Sequence, residues 1–452
     1  MSLDKTSSKG GFSSKVGFIL AAAGSAVGLG NIWRFPYLAA KYGGGMFLLV
    51  YIILSVTFGF ALLVTEIALG RKTGKSVIGA YSTACSKFKP LGWLAALVPV
   101  IIFPYYCVIG GWVFKYLTMY VTGGSAQLAT DGFFDGYIAT VGEPMLFLAI
   151  YMGLTAIVVM LGVEKGVEKF SKILMPVLVM ISLGIAIYAL TLEGAMDGFM
   201  YYITPNIEDF SVMTVVAAMG QLFYSMSIAM GIMVTYGSYM RKTDSIETSV
   251  HYIEVFDTGV AFLAGMMIIP SVFAFSNGDP AALGKGPGLM FVTLPKVFEG
   301  IPGGFGWIIG IIFFLLVSLA ALTSSISLME TIVSIIVEKT KLKRTIVCLI
   351  VVAFSFVIGL LSVFGSSIWA EVKIFGMQFL DFFDFTSNNI IMPIVALFTC
   401  ILIGYVVKTK YIEDEVEQGT KFRLKKLYRL MVKFVCPVFM LVILFSSIFM
   451  SI

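Results

Sequence analysis

Eleven apolar runs, each long enough to cross a bilayer, dominate this chain: 16–39, 46–70, 91–121, 145–162, 170–191, 213–240, 251–275, 305–338, 345–367, 379–407 and 427–450. A helix that spans the hydrocarbon core needs roughly 20 apolar residues. Inside lipid every backbone N–H and C=O must be satisfied within the chain, so such runs are helices. Hydrophobic residues make up 59% of the sequence and charged residues 13%, against about 25% charged in a soluble domain. A soluble core could not hide that much apolar surface, so the excess faces lipid. The sequence thus predicts an all-α polytopic membrane protein of eleven transmembrane helices, in contact with the lipid bilayer.

Charge placement orients it. Lys5, Lys9 and Lys15, then Arg71, Lys72 and Lys75, Lys165 to Lys172, Arg241 and Lys242, Lys339 to Arg344, and Lys408 to Arg429 fall on one side of the alternating loops. Asp131, Asp135, Glu143, Glu193, Asp197, Glu208 and Asp209 fall on the other. Basic loops stay cytoplasmic, which predicts a cytoplasmic N-terminal tail (1–15) and a C-terminus outside. The net charge of +5 forms no basic stripe with interleaved aromatics, so no nucleic-acid partner is expected. The five cysteines lack metal or redox spacing and read as small buried hydrophobes. Met1 to Ser14 has no A-x-A cleavage site and reads as a retained tail. Residues 276–304, rich in Gly and Pro, read as a re-entrant or capping loop on the outer face.

Two runs are interrupted at mid-depth by small and polar residues. The first reads Ala23-Gly24-Ser25-Ala26-Val27-Gly28-Leu29-Gly30-Asn31, and the sixth reads Gly220-Gln221 and then Ser225 to Gly231. They lie five runs apart and so point in opposite directions, as an inverted repeat of five plus five helices requires. Broken helices at matching positions mark a transporter's binding site: unwound carbonyls suit a cation, and half-helix N-termini suit a carboxylate. The Gly24-xxx-Gly28 pair taken alone reads better as a packing face for another helix, since such faces are common. Asn31 and Arg34 in the same span tip the balance, because an intramembrane Arg is costly unless paired or wet. Thr323-Ser324-Ser325 reads either as a set of ligands or as hydroxyls back-bonded to their own helix.

The string Gly24 to Pro36 with Gly43-Gly44-Gly45, together with Glu66 to Arg71, Gln221 to Gly231 with Ser238-Tyr239, and Thr323-Ser324-Ser325, resembles the neurotransmitter:sodium symporter family over essentially the whole chain. The resemblance implies the LeuT-type inverted repeat, with a first five-helix repeat at 16–191, a second at 213–407, and an extra helix at 427–452. It implies a sodium-coupled symporter for hydrophobic L-amino acids, working by alternating access in a bacterial inner membrane. Two Na+ ions are implied. The first would use Ala26, Asn31, Ser225 and Asp257, and the second Gly24, Val27, Ala320, Thr323 and Ser324. These are oxygen donors, which a hard cation wants. Chloride is not required on this reading, because Asp257 stands where chloride-dependent members carry Asn.

The implied substrate pocket is walled by Ala26, Leu29 and Gly30, Ile102 and Tyr106, Tyr224, Ser227 and Met230, and Ser324, Ser327 and Leu328. Its side-chain end is apolar, and no acid or base meets a charged side chain, which fits a hydrophobic amino acid. Arg34 with Asp384 (Asp381 is the rival) would form the outer gate, and Lys9 with Glu338 the inner one. Gly166 and Pro176 in the fifth run mark a segment expected to open on the inner side. Glu66 and Glu330 read as buried packing acids. A single histidine, His251, leaves no basis for an enzyme's nucleophile–base pair or metal cluster.

Overall fold

The structure, a computed structural model, describes residues 11–276, 286–418 and 420–449. Among these there are no β-strands; helices carry the whole architecture. A bent pair opens it, α1 (Lys15–Ala26) and α2 (Gly30–Lys41), 55° apart. Then come α3 (Gly45–Thr73), α4 (Ser86–Val121), α5 (Gly142–Met160) and α6 (Val163–Ala189). The second half holds α7 (Val212–Ser225) and α8 (Ile232–Tyr239), then α9 (Ile246–Ser276), α10 (Gly306–Thr340), α11 (Arg344–Gly365), α12 (Phe379–Val406) and α13 (Lys425–Ser446).

Nine helices among the described residues are long and apolar enough to cross a membrane, ten if the α1/α2 pair counts as one span. The expected eleventh, 213–240, is covered by α7 and α8, neither of which crosses alone, so the count of eleven is not reached by continuous helices. The reason is local. Between α7 and α8, Ser227, Ala229 and Gly231 take φ of +54°, +62° and +73°, left-handed values that no α-helix continues through. At the other break Val27 is extended, with ψ at 103°. Pro176, by contrast, lies inside an uninterrupted helical stretch, Lys169–Ala189; the irregular part of α6 is the wide turn Val163–Glu168 before it.

Lipid tails are as apolar as Leu, so helices in a membrane associate through close packing and hydrogen bonds. That is seen where α3 meets α8: Gly70 faces the Val234 carbonyl and Gly237 the Ile67 backbone, with no room for a Cβ at either. Hydroxyl bonds do the same between other helices, as where Tyr151 and Thr155 of α5 meet Ser325 of α10 at 3.1 and 2.9 Å.

Candidate functional site

Both helix breaks open onto one cavity of about 350 Å³, closed on its other sides by α4 and α10. Its wall includes Ala26, Leu29, Gly30, Ile102, Tyr106, Tyr224, Ser227, Met230, Ser324 and Leu328, ten of the eleven pocket positions expected from the sequence. Ser327 is not on it. That hydroxyl is turned into the packing, donating to the Thr323 carbonyl at 3.0 Å and accepting from the Tyr236 hydroxyl at 2.8 Å. The wall also holds Ser25, Gly28 and Ile232, which the sequence reading missed. Its wall mixes polar groups, with the Leu29 N–H donating to the Tyr106 hydroxyl at 3.4 Å, and the apolar side chains of Ile102, Met230, Ile232 and Leu328; among the described residues no charged side chain lines it.

The two breaks are stitched together. Ser227 Oγ donates to the Ser25 carbonyl at 3.0 Å and lies 3.1 Å from Ser25 Oγ. Glu66 on α3 supports the strained segment: its Oε1 accepts the Ala229 N–H at 2.7 Å. Non-glycine residues at positive φ persist only where their surroundings over-determine them, and they gather at functional sites. Gly28 sits where nothing larger fits, since a Cβ there would lie 2.7 Å from Ser324 Oγ and 3.1 Å from the Tyr106 hydroxyl.

Beside the cavity, the fully buried Asp257 of α9 collects donors. Asn31 Nδ2 donates to Oδ1 at 2.8 Å, Ser225 Oγ to Oδ1 at 2.5 Å, and the Tyr51 hydroxyl to Oδ2 at 2.9 Å. No cationic side chain pairs with it among the described residues, although an uncompensated buried charge costs several kcal/mol. Asn31 Oδ1 accepts the Gly28 N–H at 3.2 Å, and Gln221, whose Nε2 donates to the Gly30 carbonyl at 3.0 Å, keeps a buried Oε1 without partner. Asn31, Ser225 and Asp257 are therefore brought together as expected, with Ala26 on the adjoining wall. The donor set is carbonyls, hydroxyls, an amide and a carboxylate, which suits a hard monovalent cation.

A second group of oxygens lies where α10 crosses the first break. Ser324 Oγ, with one proton to donate, lies within reach of the carbonyls of Ser25 (3.2 Å), Val27 (3.3 Å) and Ala320 (3.3 Å). Thr323 Oγ1 donates to the Ala320 carbonyl at 2.9 Å, and its Cβ would sit 3.3 Å from a Cβ on Gly24. Gly24, Val27, Ala320, Thr323 and Ser324 thus converge. The back-bonded reading is realised at Thr323, which bonds to its own helix, and Ser324 also reaches across to carbonyls of the break.

The gate positions are less closely joined. Arg34 and Asp384 line a vestibule of about 1450 Å³ together with Asp381, but no Arg34–Asp384 ion pair forms within 4 Å. Asp384 Oδ1 instead accepts from the Tyr105 hydroxyl (3.0 Å) and Asn388 Nδ2 (2.7 Å), and the Arg34 guanidinium lies 5.6 Å from the Tyr224 ring centroid. Lys9 lies outside the described residues; Glu338 Oε2 accepts the Ser76 N–H at 2.7 Å. In the tail, Phe12 lies edge-on to Phe18, Tyr236 and Tyr239. Glu168, which the sequence reading passed over, accepts from Ser13 N (2.7 Å), Ser13 Oγ (2.7 Å) and Ser14 Oγ (2.9 Å), tying the tail to the first turn of α6. Glu330 accepts the Tyr239 hydroxyl at 2.9 Å and pairs with Arg344. His251 bonds Glu254 at 3.0 Å and stacks on Phe60, away from the cavity.

A pocket enclosed by two broken helices and flanked by two nests of hard oxygen donors defines an ion-coupled membrane transporter. The comparisons with known proteins agree. A family model described as "Sodium:neurotransmitter symporter family" matches residues 9–130 and 134–451. The sodium-dependent transporter YhdH of Bacillus subtilis is 34% identical over 414 residues, 90% of each chain. The human sodium- and chloride-dependent GABA transporter 2 is 26% identical over 474 residues, 93% of this chain and 77% of that one. The crystal structure of MhsT in complex with L-phenylalanine superimposes with a TM-score of 0.87 at 34% identity, covering 97% of this chain and 99% of that one. The chain belongs to the sodium:neurotransmitter symporter family. It is a membrane protein that uses sodium to transport a small molecule of the amino-acid or neurotransmitter type, and not an enzyme.

Proposed function

We propose that this protein imports hydrophobic L-amino acids, aliphatic and aromatic, with two sodium ions, across a bacterial inner membrane in which its N-terminus is cytoplasmic. The observation that carries the reading is the cavity wall itself, which has no charged side chain among the described residues and combines the apolar Ile102, Met230, Ile232 and Leu328 with the polar groups of the helix breaks. An amino acid's carboxylate would sit at the breaks, against the Tyr106 hydroxyl and the ion at Ala26, Asn31, Ser225 and Asp257. Its side chain would lie against the apolar side chains, where Met230 adapts to several sizes. The second ion would be held by Gly24, Val27, Ala320, Thr323 and Ser324. The solved neighbour holding L-phenylalanine supports a substrate of this size and character. Asp257 supplies the fixed negative charge beside the ions, so chloride is not required.

Coupling is sufficient for the task. Each sodium moving down about 100 mV releases roughly 2.3 kcal/mol, so two ions sustain on the order of a thousandfold accumulation of a zwitterion. Alternating access would rock the two repeats, 16–191 and 213–407, about this site. Arg34 would close on Asp384 in one phase, and the Lys9–Glu338 pair would part in the other. The test is radiolabelled uptake into proteoliposomes, competed by all twenty amino acids with and without a sodium gradient. Saturable uptake that needs sodium and is competed by Leu, Ile, Phe and Met supports the reading. Competition by charged amino acids alone, or sodium conductance without uptake, rejects it.

A further inference from the structure

The loop between α12 and α13 sorts its charges. Two of its acids, Glu413 and Glu415, are buried and paired, and the exposed Glu417 is paired as well. Glu413 pairs with Arg429 at 2.6 Å and Lys425 at 3.3 Å; Glu415 pairs with the buried Arg71 at 2.8 Å and Lys242 at 2.7 Å; Glu417 pairs with Lys425 at 2.8 Å. Burial pushes the Glu413 carboxyl up, yet its bonds to Arg429, Thr409 and Lys425 outweigh that and hold it at about 2. Four cations of the same loop, Lys408, Lys410, Lys421 and Arg423, and Lys426 at the start of α13 are exposed, and none has an ion pair among the described residues. Asp414 is the one exposed acid among them without such a pair.

The described part of the loop is also tied to neighbouring helices. The Glu247 carboxylate accepts the N–H groups of Arg423 and Leu424, both at 3.0 Å. Phe422 is buried against the rings of Phe60 and Tyr428, and Lys72 Nζ donates to the Tyr411 carbonyl at 2.7 Å. Lys408 is held at φ +68°, a strained conformation for a side-chain-bearing residue. On either side lie exposed apolar residues, Tyr405 and Val406 closing α12 and Leu430 and Phe434 in α13. They put the cations where a spanning segment meets the headgroup layer. Basic loops set topology by charge number alone, and a flexible tail would serve that end as well. A strap whose buried acids are already paired and whose backbone is tied at several points presents its exposed cations partly pre-organised, which lowers the entropy lost on binding.

We propose that this strap is a binding site for an anionic phospholipid headgroup, phosphatidylglycerol being the probe, with the acyl chains lying along α12 and α13. Each basic residue near an anionic surface contributes about fivefold in affinity, so losing four should weaken binding at least tenfold. The test uses the full chain in phosphatidylcholine nanodiscs titrated with phosphatidylglycerol, with retained lipid read by native mass spectrometry. The variant Lys408→Gln/Lys421→Gln/Arg423→Gln/Lys426→Gln should lose the retained anionic lipid while keeping sodium-dependent substrate binding. A control that removes four exposed cations elsewhere, Lys165→Gln/Lys169→Gln at the start of α6 and Lys341→Gln/Lys343→Gln between α10 and α11, should keep it. On the unmodified protein, retained lipid should fall as salt rises from about 0.05 to 0.5 M, because exposed charges are screened. Unchanged retention in the first variant, equal loss in the control, or salt-insensitive retention overturns the proposal. So does displacement by millimolar glycerol phosphate, which would make the strap a site for a soluble anion.

Discussion

Replacing Asp257 by Asn tests whether its carboxylate is the fixed charge beside the first ion. The side chain is fully buried and faces three donors, Asn31 Nδ2, Ser225 Oγ and the Tyr51 hydroxyl. A unit charge about 4 Å from a cation, at an effective dielectric near 20, contributes about 4 kcal/mol. The neutral amide regains part of that because burying it costs several kcal/mol less than burying a carboxylate. The net is a loss of about 2–3 kcal/mol, or on the order of a hundredfold in sodium affinity. The amide would also leave the Tyr51 and Ser225 hydroxyls without their anionic acceptor, a vacancy suited to a halide. The assay is substrate uptake into proteoliposomes, with sodium titrated in chloride and in gluconate. The unmodified protein should be indifferent to the anion, whereas Asp257→Asn should need far more sodium and recover partly in chloride. A variant whose half-saturating sodium stays within about threefold of the parent, a shift well under 1 kcal/mol, refutes the electrostatic reasoning. Collapse of the parent's uptake in gluconate refutes the claim that Asp257 replaces chloride.

Other outcomes follow from the same geometry. Gly28→Ala places a methyl 2.7 Å from Ser324 Oγ and 3.1 Å from the Tyr106 hydroxyl, so substrate binding should fall at least tenfold with helicity unchanged by circular dichroism; normal affinity would mean that the break relaxes freely. Asn31→Ala and Thr323→Ala should each weaken sodium-dependent binding severely, measured as the sodium needed for half-maximal substrate binding, and parental values in both would remove these residues from the ion sites. Arg71→Ala leaves the buried Glu415 carboxylate with only the half-exposed Lys242 as cationic partner, a loss of about 2–3 kcal/mol, so thermal unfolding in detergent should shift down by several degrees, and an unchanged midpoint refutes a structural role for the Arg71–Glu415 pair.

Much of this site was legible because its chemistry is local. A run such as Gly24 to Asn31, small and polar amid apolar residues, already announces a break, since lipid leaves an unwound backbone nowhere to go except around a ligand. Hydrophobic length settled the all-helical class in the same way, and the paired breaks five runs apart pointed to one shared site. Tertiary structure decided what depends on residues distant in the chain. Ser327 lies one turn along α10 from Thr323, yet the Tyr236 hydroxyl draws it out of the cavity wall, and Ile232, placed past the second break, turns into it. Glu168 became the anchor of the tail only when the fold carried Ser13, 155 residues away, to its carboxylate. Asp384 prefers Tyr105 and Asn388 to Arg34, a choice among partners that charge alone does not dictate. Periodicity and composition report what each segment needs, burial or hydration, whereas which donor meets which acceptor is set by helix crossings that bring residues far apart in the chain into hydrogen-bond contact.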